Sequence, residues 1–457
     1  TDVSGGIVYF IADGTNPIPA SDWLYGPALA PVPTNGDLVC FHGALDAGYT
    51  HGTQCASNVV GQGVLNTMAP VFNDLPGDGT PGGMVVGAAP EAKVVGISDI
   101  YYNFDASKLD AYLFSVIGYD GTPRSGDEMQ IVSNSYGSSD QDNDGWDYDG
   151  RYLDRVVRRY SPTTSFLFST GNGAPGFGTV APPSPEVGIA IGASTQFGST
   201  GWDSITSTTQ IMYNDVIPFS NRGPGANGSV GVDVVADGAY AAGAEGINYF
   251  GFDGAYSWDS WGGTSRSTPV AAGNLALIYQ AYKQKHGAWP TYDVAKAILM
   301  SGATNLDYDV LTQGAGAVNA DRSTDVAAGL AGFYAEPTSW APGDYRGEEY
   351  PGFANILAPG QSDSQTFTLT NDSDKPVKVS LTDGWMREIG TKTFAWTSSP
   401  VDQESVLNSL VAPDYLIPID PDDIPASTDL MVVRANFPFS QYDLNGNYNR
   451  DANDPAN

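Results

Sequence analysis

Two apolar stretches in this chain lack the alternation of a half-buried strand. Gly6-Ile7-Val8-Tyr9-Phe10-Ile11-Ala12 runs unbroken into Asp13-Gly14-Thr15, and Ser165-Phe166-Leu167-Phe168-Ser169-Thr170 runs into Gly171-Asn172-Gly173. Runs of this kind suit strands buried on both faces of a parallel sheet, each ending on a polar residue at the rim. A different pattern follows Thr50-His51-Gly52-Thr53, where small and β-branched residues predict the first turns of a packed helix. The small-residue run Val270-Ala271-Ala272-Gly273 likewise predicts a closely packed helix, with His286 as a C-terminal cation beside the stop signal Gly287.

The pattern changes after about residue 330. Pro337-Thr338-Ser339-Trp340-Ala341-Pro342-Gly343-Asp344 reads as a linker, and Ala358 to Asn371 then alternates polar and apolar before turning at Asn371-Asp372-Ser373-Asp374-Lys375-Pro376 into Val377-Lys378-Val379-Ser380-Leu381. That is the pattern of an antiparallel hairpin. With Leu430-Met431-Val432-Val433-Arg434-Ala435 it predicts a fibronectin-like β-sandwich. The expected organisation is an α/β domain over 1–328, a linker over 329–345 and the sandwich over 346–457.

Chemistry enters with Gly262-Gly263-Thr264-Ser265-Arg266-Ser267-Thr268-Pro269. A serine between small residues, just before a helix, can be aimed out of a tight turn at a substrate. Its hydroxyl needs a base, and the base needs an orienting acid. Of three histidines, His286 is read as a helix end and His42 as a loop residue, which leaves His51. Asp13, at a strand end, can face a cleft, and Asn172 can offer its amide NH2 to a developing oxyanion. Each signal alone also fits an ordinary turn.

Together, in the order Asp13, His51, Asn172, Ser265, the motifs resemble the subtilases, the subtilisin-like serine peptidases. The resemblance extends to Ser133-Asn134-Ser135-Tyr136-Gly137, which it implies is the substrate-binding strand, and to Gly87 to Ala92, Phe219 to Pro224 and Gly314 to Asn319, covering about residues 1–325. It implies a doubly wound, mostly parallel sheet with helices on both faces, and peptide-bond hydrolysis through an Asp-His-Ser triad. Cys55 stands where proteinase K-like and kexin-like members carry a free cysteine, so a buried thiol beneath the base is expected. Cys40 could instead pair with it. Kexin-type enzymes hold a substrate arginine partly through an acid at the place of Asp140, whereas Ala181 near the second acid position implies a broad, mostly apolar pocket.

The loop Asp140-Gln141-Asp142-Asn143-Asp144-Gly145-Trp146-Asp147-Tyr148-Asp149 spaces carboxylates as a calcium loop does, with Asp142, Asp144 and Asp149 as candidate ligands. The glutamate expected at the twelfth position is replaced by Arg151, so a solvated acidic loop is the competing reading. A second candidate calcium loop ends the chain, with Asp443, Asn445, Asn447 and Asp454 as ligands and Tyr448 in place of the usual glycine.

Composition sets the frame. Aspartate and glutamate outnumber lysine and arginine 52 to 20 in 457 residues, a net charge of −32, which argues against nucleic acid as a partner. Such a surface stays soluble and suits saline or calcium-rich surroundings. No apolar run is long enough to span a bilayer, and Thr1 is expected to follow processing of a longer, secreted or surface-attached protein, one segment of a larger assembly. Two rival readings are a catalytically silent subtilase scaffold with a structural or adhesive role and a sedolisin-like acid peptidase. Intact motifs count against the first, and His51-Gly52-Thr53 with Gly171-Asn172 against the second.

Overall fold

The structure is a computed structural model that describes residues 51–62, 86–97, 104–138, 141–173, 176–195, 215–244, 258–338, 343–345, 348–350, 358–383, 389–390, 422 and 424–426. In chain order the elements are α1 (His51–Val60), α2 (Phe104–Ile117), β1 (Ile131–Asn134), α3 (Tyr148–Tyr160), β2 (Ser165–Ser169), β3 (Gly188–Ser194), β4 (Val234–Asp237), β5 (Ala241–Ala244) and β6 (Trp258–Trp261). There follow α4 (Thr264–His286), α5 (Tyr292–Gly302), α6 (Val310–Gln313), α7 (Ala320–Ala327), β7 (Tyr334–Glu336), β8 (Gly343–Tyr345), β9 (Glu348–Tyr350) and β10 (Thr368–Thr370).

Strands β1, β2, β3 and β4 form a parallel sheet in that order, with Ser133 opposite Leu167, Phe168 opposite Ala190 and Gly192 opposite Val235. Alternation along β2 explains its unbroken apolar run. Phe166 and Phe168 face one side, where they pack with Tyr112 of α2 and Leu153, Val156 and Val157 of α3. Leu167 faces the other, against Leu275 and Ile278 of α4, Ile298 of α5 and Val326 of α7. Helices therefore cover both faces, and a strand buried twice can carry no polar side. Full burial of each such leucine or isoleucine contributes about 2 kcal/mol before cavity terms.

Helix α4 shows why its early turns are small. A Cβ added at Gly273 would lie 2.6 Å from the Cβ of Ala88, so any larger residue would push the helix off the 87–89 segment. The helix stops at Gly287, whose φ of 75° is left-handed and favours glycine. His286, in the last turn, lies 3.4 Å from Asp372.

The hairpin expected between 358–371 and 377–381 does not form among the described residues. β10 pairs antiparallel with β7, Leu369 opposite Ala335, and Val377 to Leu381 form no strand. Alternation marks a segment that can lie on a sheet but not which neighbour it meets, and β7 takes that place. The first compact unit accordingly runs to Val377 and the second covers Lys378–Asn457. Leu430 to Ala435 lie outside the described residues. Among the described residues, no helix is long and apolar enough to cross a membrane.

Candidate active site

The site gathers beyond the carboxyl ends of parallel strands, where open α/β sheets place their ligands. Ser135 follows β1, Asn172 follows β2, and Asp237 ends β4. Ser265 joins them from the first turn of α4. Its N-cap Gly263 has φ 128°, a value side chains rarely adopt, and a Cβ there would lie 3.2 Å from Asn172 Nδ2. The positive φ above all favours glycine just before the turn of the candidate nucleophile.

Pro269 sits inside α4, one turn beyond Ser265. It has no N–H, so the Ser265 carbonyl loses its usual helical donor. Ser135 Oγ donates to that carbonyl at 2.9 Å, and the Cys55 thiol approaches it at 3.6 Å. The Ser265 hydroxyl donates in return to the Ser135 carbonyl at 3.3 Å. A serine on the expected substrate strand is therefore tied in both directions to the candidate nucleophile.

The Asn172 side chain is oriented through its oxygen. Oδ1 accepts the Thr264 backbone N–H at 2.8 Å and the Thr264 hydroxyl at 2.9 Å, which leaves the Nδ2 hydrogens as the free donating end. The Ser265 N–H belongs to the first turn of α4, whose donors have no intrahelical acceptor. Both are the kinds of donor an oxyanion needs.

His51 opens α1, and burial lowers its imidazole pKa below the ordinary 6.5. Cys55, one turn on, is a free thiol with Sγ 3.9 Å from His51 Nδ1. Burial pushes that thiol up to about 12, so it stays protonated and is no rival nucleophile. Trp261, at the end of β6, meets the His51 ring edge to face, with centroids 5.7 Å apart.

Ser135, Tyr136 and Gly137 continue β1 toward the same rim. The Tyr136 hydroxyl donates to Asn134 Oδ1 at 3.1 Å and can then accept from the Tyr112 hydroxyl at 3.0 Å. Ala181 lies between Gly137 and Gly171: a Cβ added at either would come 3.1 Å from the Ala181 Cβ. The position taken from the resemblance alone thus meets both glycines.

Several carboxylates of the acidic loop have partners within the protein. Asp149 is buried and paired with Lys108 of α2, and it also accepts from Gln141 at 2.6 Å. Asp144 accepts the Trp146 N–H, Asp147 caps α3 through the Gly150 N–H, and Asp142 is exposed. Among the described residues no three acidic, histidine or cysteine side chains are placed to hold a metal ion. Asp144, Asp147 and Asp149 meet cationic, amide or backbone donors, as buried charge requires. Asp13, Cys40, His42, Asp140, Asp443, Asn445, Asn447 and Asp454 lie outside the described residues.

Three supporting residues were not singled out from the sequence. Arg266, 7% exposed, sets its guanidinium 2.9 Å from Asp237 and donates to the Asp237 and Ala239 carbonyls, pinning the start of α4 to the end of β4. Asn221 clamps the Asn172 loop from both sides, accepting from the Gly173 N–H at 2.6 Å and donating its own N–H to the Gly171 carbonyl at 3.0 Å. Lys108 is the third. A buried arginine beside a nucleophile motif is a visible signal, but its partner is not.

The sequence pattern of the subtilase family matches residues 44–318. Tripeptidyl-peptidase 2 of Caenorhabditis elegans is 32% identical over 133 residues, 29% of this chain and 9% of that protein. Pyrolysin of Pyrococcus furiosus is 26% identical over 353 residues, 68% of this chain and 24% of pyrolysin. Serine protease AprX of Bacillus subtilis is 27% identical over 288 residues, 60% of this chain and 57% of AprX. The chain spans less than two thirds of the length of each of these relatives.

Proposed function

Because the chain belongs to the subtilase family of serine peptidases, we propose that it is an endopeptidase that hydrolyses peptide bonds through Asp13, His51 and Ser265. The observation that carries the reading is the Asn172–Thr264–Ser265 arrangement, in which Asn172 spends its oxygen on Thr264 and keeps its NH2 for a ligand beside the serine. Ser265 Oγ attacks the scissile carbonyl while His51 takes its proton and later hands it to the leaving amine. Asp13 holds the imidazole and stabilises its cation. Asn172 Nδ2 and the Ser265 N–H receive the oxyanion, and an acyl-enzyme on Ser265 is then cleared by water. Ser135 to Gly137 pair with the substrate as an added strand, and Ala181 makes the pocket for the residue before the cut mostly apolar.

Polypeptides are the substrates, and secretion or attachment at a cell surface, with other segments of a larger assembly, is the setting in this reading. The acidic composition supports it. In this reading a structural calcium is held by the terminal loop through Asp443, Asn445, Asn447 and Asp454, while in the acidic loop Asp149 is paired with Lys108, Asp144 accepts the Trp146 N–H and Asp142 is exposed. Chelation should lower the melting temperature without abolishing turnover.

Ser265→Ala tests the reading. Casein cleavage and fluorophosphonate labelling are expected to vanish together; full cleavage by the variant would remove Ser265 as the nucleophile.

A further inference from the structure

We propose that Trp261 is a positioning residue for the general base, restricting the imidazole of His51 through an edge-to-face ring contact. The inference rests on the peptidase reading of His51. Its basis is geometric. The two rings lie 5.7 Å apart at 78°, a T-shaped arrangement in the range that ring pairs favour.

What places the indole there is not its own polarity. Trp261 is 7% exposed, and its Nε1 is buried with no hydrogen-bond partner among the described residues. A buried donor without an acceptor is unfavourable, so the ring position must be dictated by something other than the N–H. The backbone makes room for it. A Cβ at Gly243 of β5 would fall 2.3 Å from Trp261 Nε1, and one at Gly262 would fall 2.8 Å from the Tyr240 ring. Gly243, on the facing strand, therefore admits the indole, and Gly262, next in sequence, leaves room for the Tyr240 ring.

The contact also joins the right elements. Trp261 stands just before Gly263, the N-cap of the helix carrying Ser265, while His51 opens the helix that packs on β5 through the Ala244 N–H to Ser57 Oγ bond at 3.1 Å. A second contact of the His51 ring, the Cys55 thiol at 3.9 Å from Nδ1, is with a weak hydrogen-bonding group. A carboxylate such as Asp13 selects the tautomer, whereas a flat ring at the imidazole's side limits its swing and keeps water from that side. Trp261 thus acts through His51, so its loss falls on turnover rather than on substrate binding.

The experiment compares Trp261→Leu with Trp261→Phe. With only three histidines in the chain, spectra of protein labelled with 13C-histidine resolve each ring, and His51→Gln assigns the relevant signal. Trp261→Leu should move the His51 signal and lower kcat by roughly tenfold or more, with KM nearly unchanged. Trp261→Phe should restore most of both. An unmoved His51 signal overturns the proposal, as does a Trp261→Leu enzyme with unchanged kcat, whether it loses only stability or only raises KM. If Trp261→Leu fails to fold, a nuclear Overhauser contact between the His51 and Trp261 rings in the wild type decides the point, its absence counting against the proposal. Wild-type protein that a fluorophosphonate probe leaves unlabelled would sink the peptidase reading alone, and the ring contact would still be tested by the spectra.

Discussion

Ser135 Oγ donates to the Ser265 carbonyl at 2.9 Å, occupying the acceptor that Pro269 leaves open one turn into α4. A helix defect thus becomes a link between the candidate substrate strand and the candidate nucleophile. Ser135→Ala leaves that carbonyl with the weak Cys55 thiol, at a cost of about 1–2 kcal/mol. Urea denaturation should show a lower midpoint with an unchanged slope. Pro269→Ala in the same background should recover part of the loss, because the restored N–H reaches the same carbonyl.

Asn172→Ala is expected to lower kcat by about 10²–10³-fold with little change in KM, as losing one oxyanion donor does. Thr264→Val keeps the backbone N–H to Oδ1 bond and removes the two bonds of the hydroxyl, to Asn172 Oδ1 and from the Gly171 N–H, so its loss should be clearly smaller. Steady-state kinetics on one peptide substrate ranks the two. Equal losses would mean that the Thr264 hydroxyl, not the Asn172 amide, matters.

Burial lowers the His51 imidazole pKa below 6.5. A base must be neutral, so with burial outweighing the Asp13 carboxylate, which favours the cation, the acid limb of kcat/KM should fall below pH 6.5. The same shift has a stability consequence. As pH drops below 6.5 the unfolded chain takes up the proton first, so His51 destabilises the fold increasingly until the folded ring also titrates. A pH–rate profile whose acid limb lies above 6.5 would contradict this.

Asp154 on α3 shows the opposite behaviour. Burial raises its carboxyl from 3.8 to about 6, even though it accepts the Val187 N–H at 2.9 Å. The folded state holds that proton more tightly than the unfolded chain, so stability falls as pH rises from about 4 to about 6 and stays lower above it. Asp154→Asn keeps an acceptor for Val187 and removes the charge. Its melting temperature should exceed that of the wild type at pH 8, with the difference disappearing near pH 4.

The features legible in the sequence are local ones. The apolar run of β2 followed by Gly171-Asn172, the small-residue start of α4 and the Gly287 stop each follow from burial and backbone limits acting within a few residues. The ordered motifs around His51, Asn172 and Ser265 carry the family assignment in the same way. Long-range partners were not legible. The carboxylate of Asp149 reads equally well as a calcium ligand or as half of an ion pair, and only folding α2 beneath the loop brings Lys108 to it. Alternation in 358–371 says that a strand is possible, yet pairing of Thr368–Thr370 with Tyr334–Glu336 depends on which edge lies nearby. The bond between Ser135 and Ser265 spans 130 positions, and the Trp261 ring reaches His51 only once β6 and α1 are packed around β5. Sequence sets what each residue can bond or bury; the tertiary fold decides with whom, because charges, carbonyls and rings accept any partner of suitable chemistry that packing brings within reach.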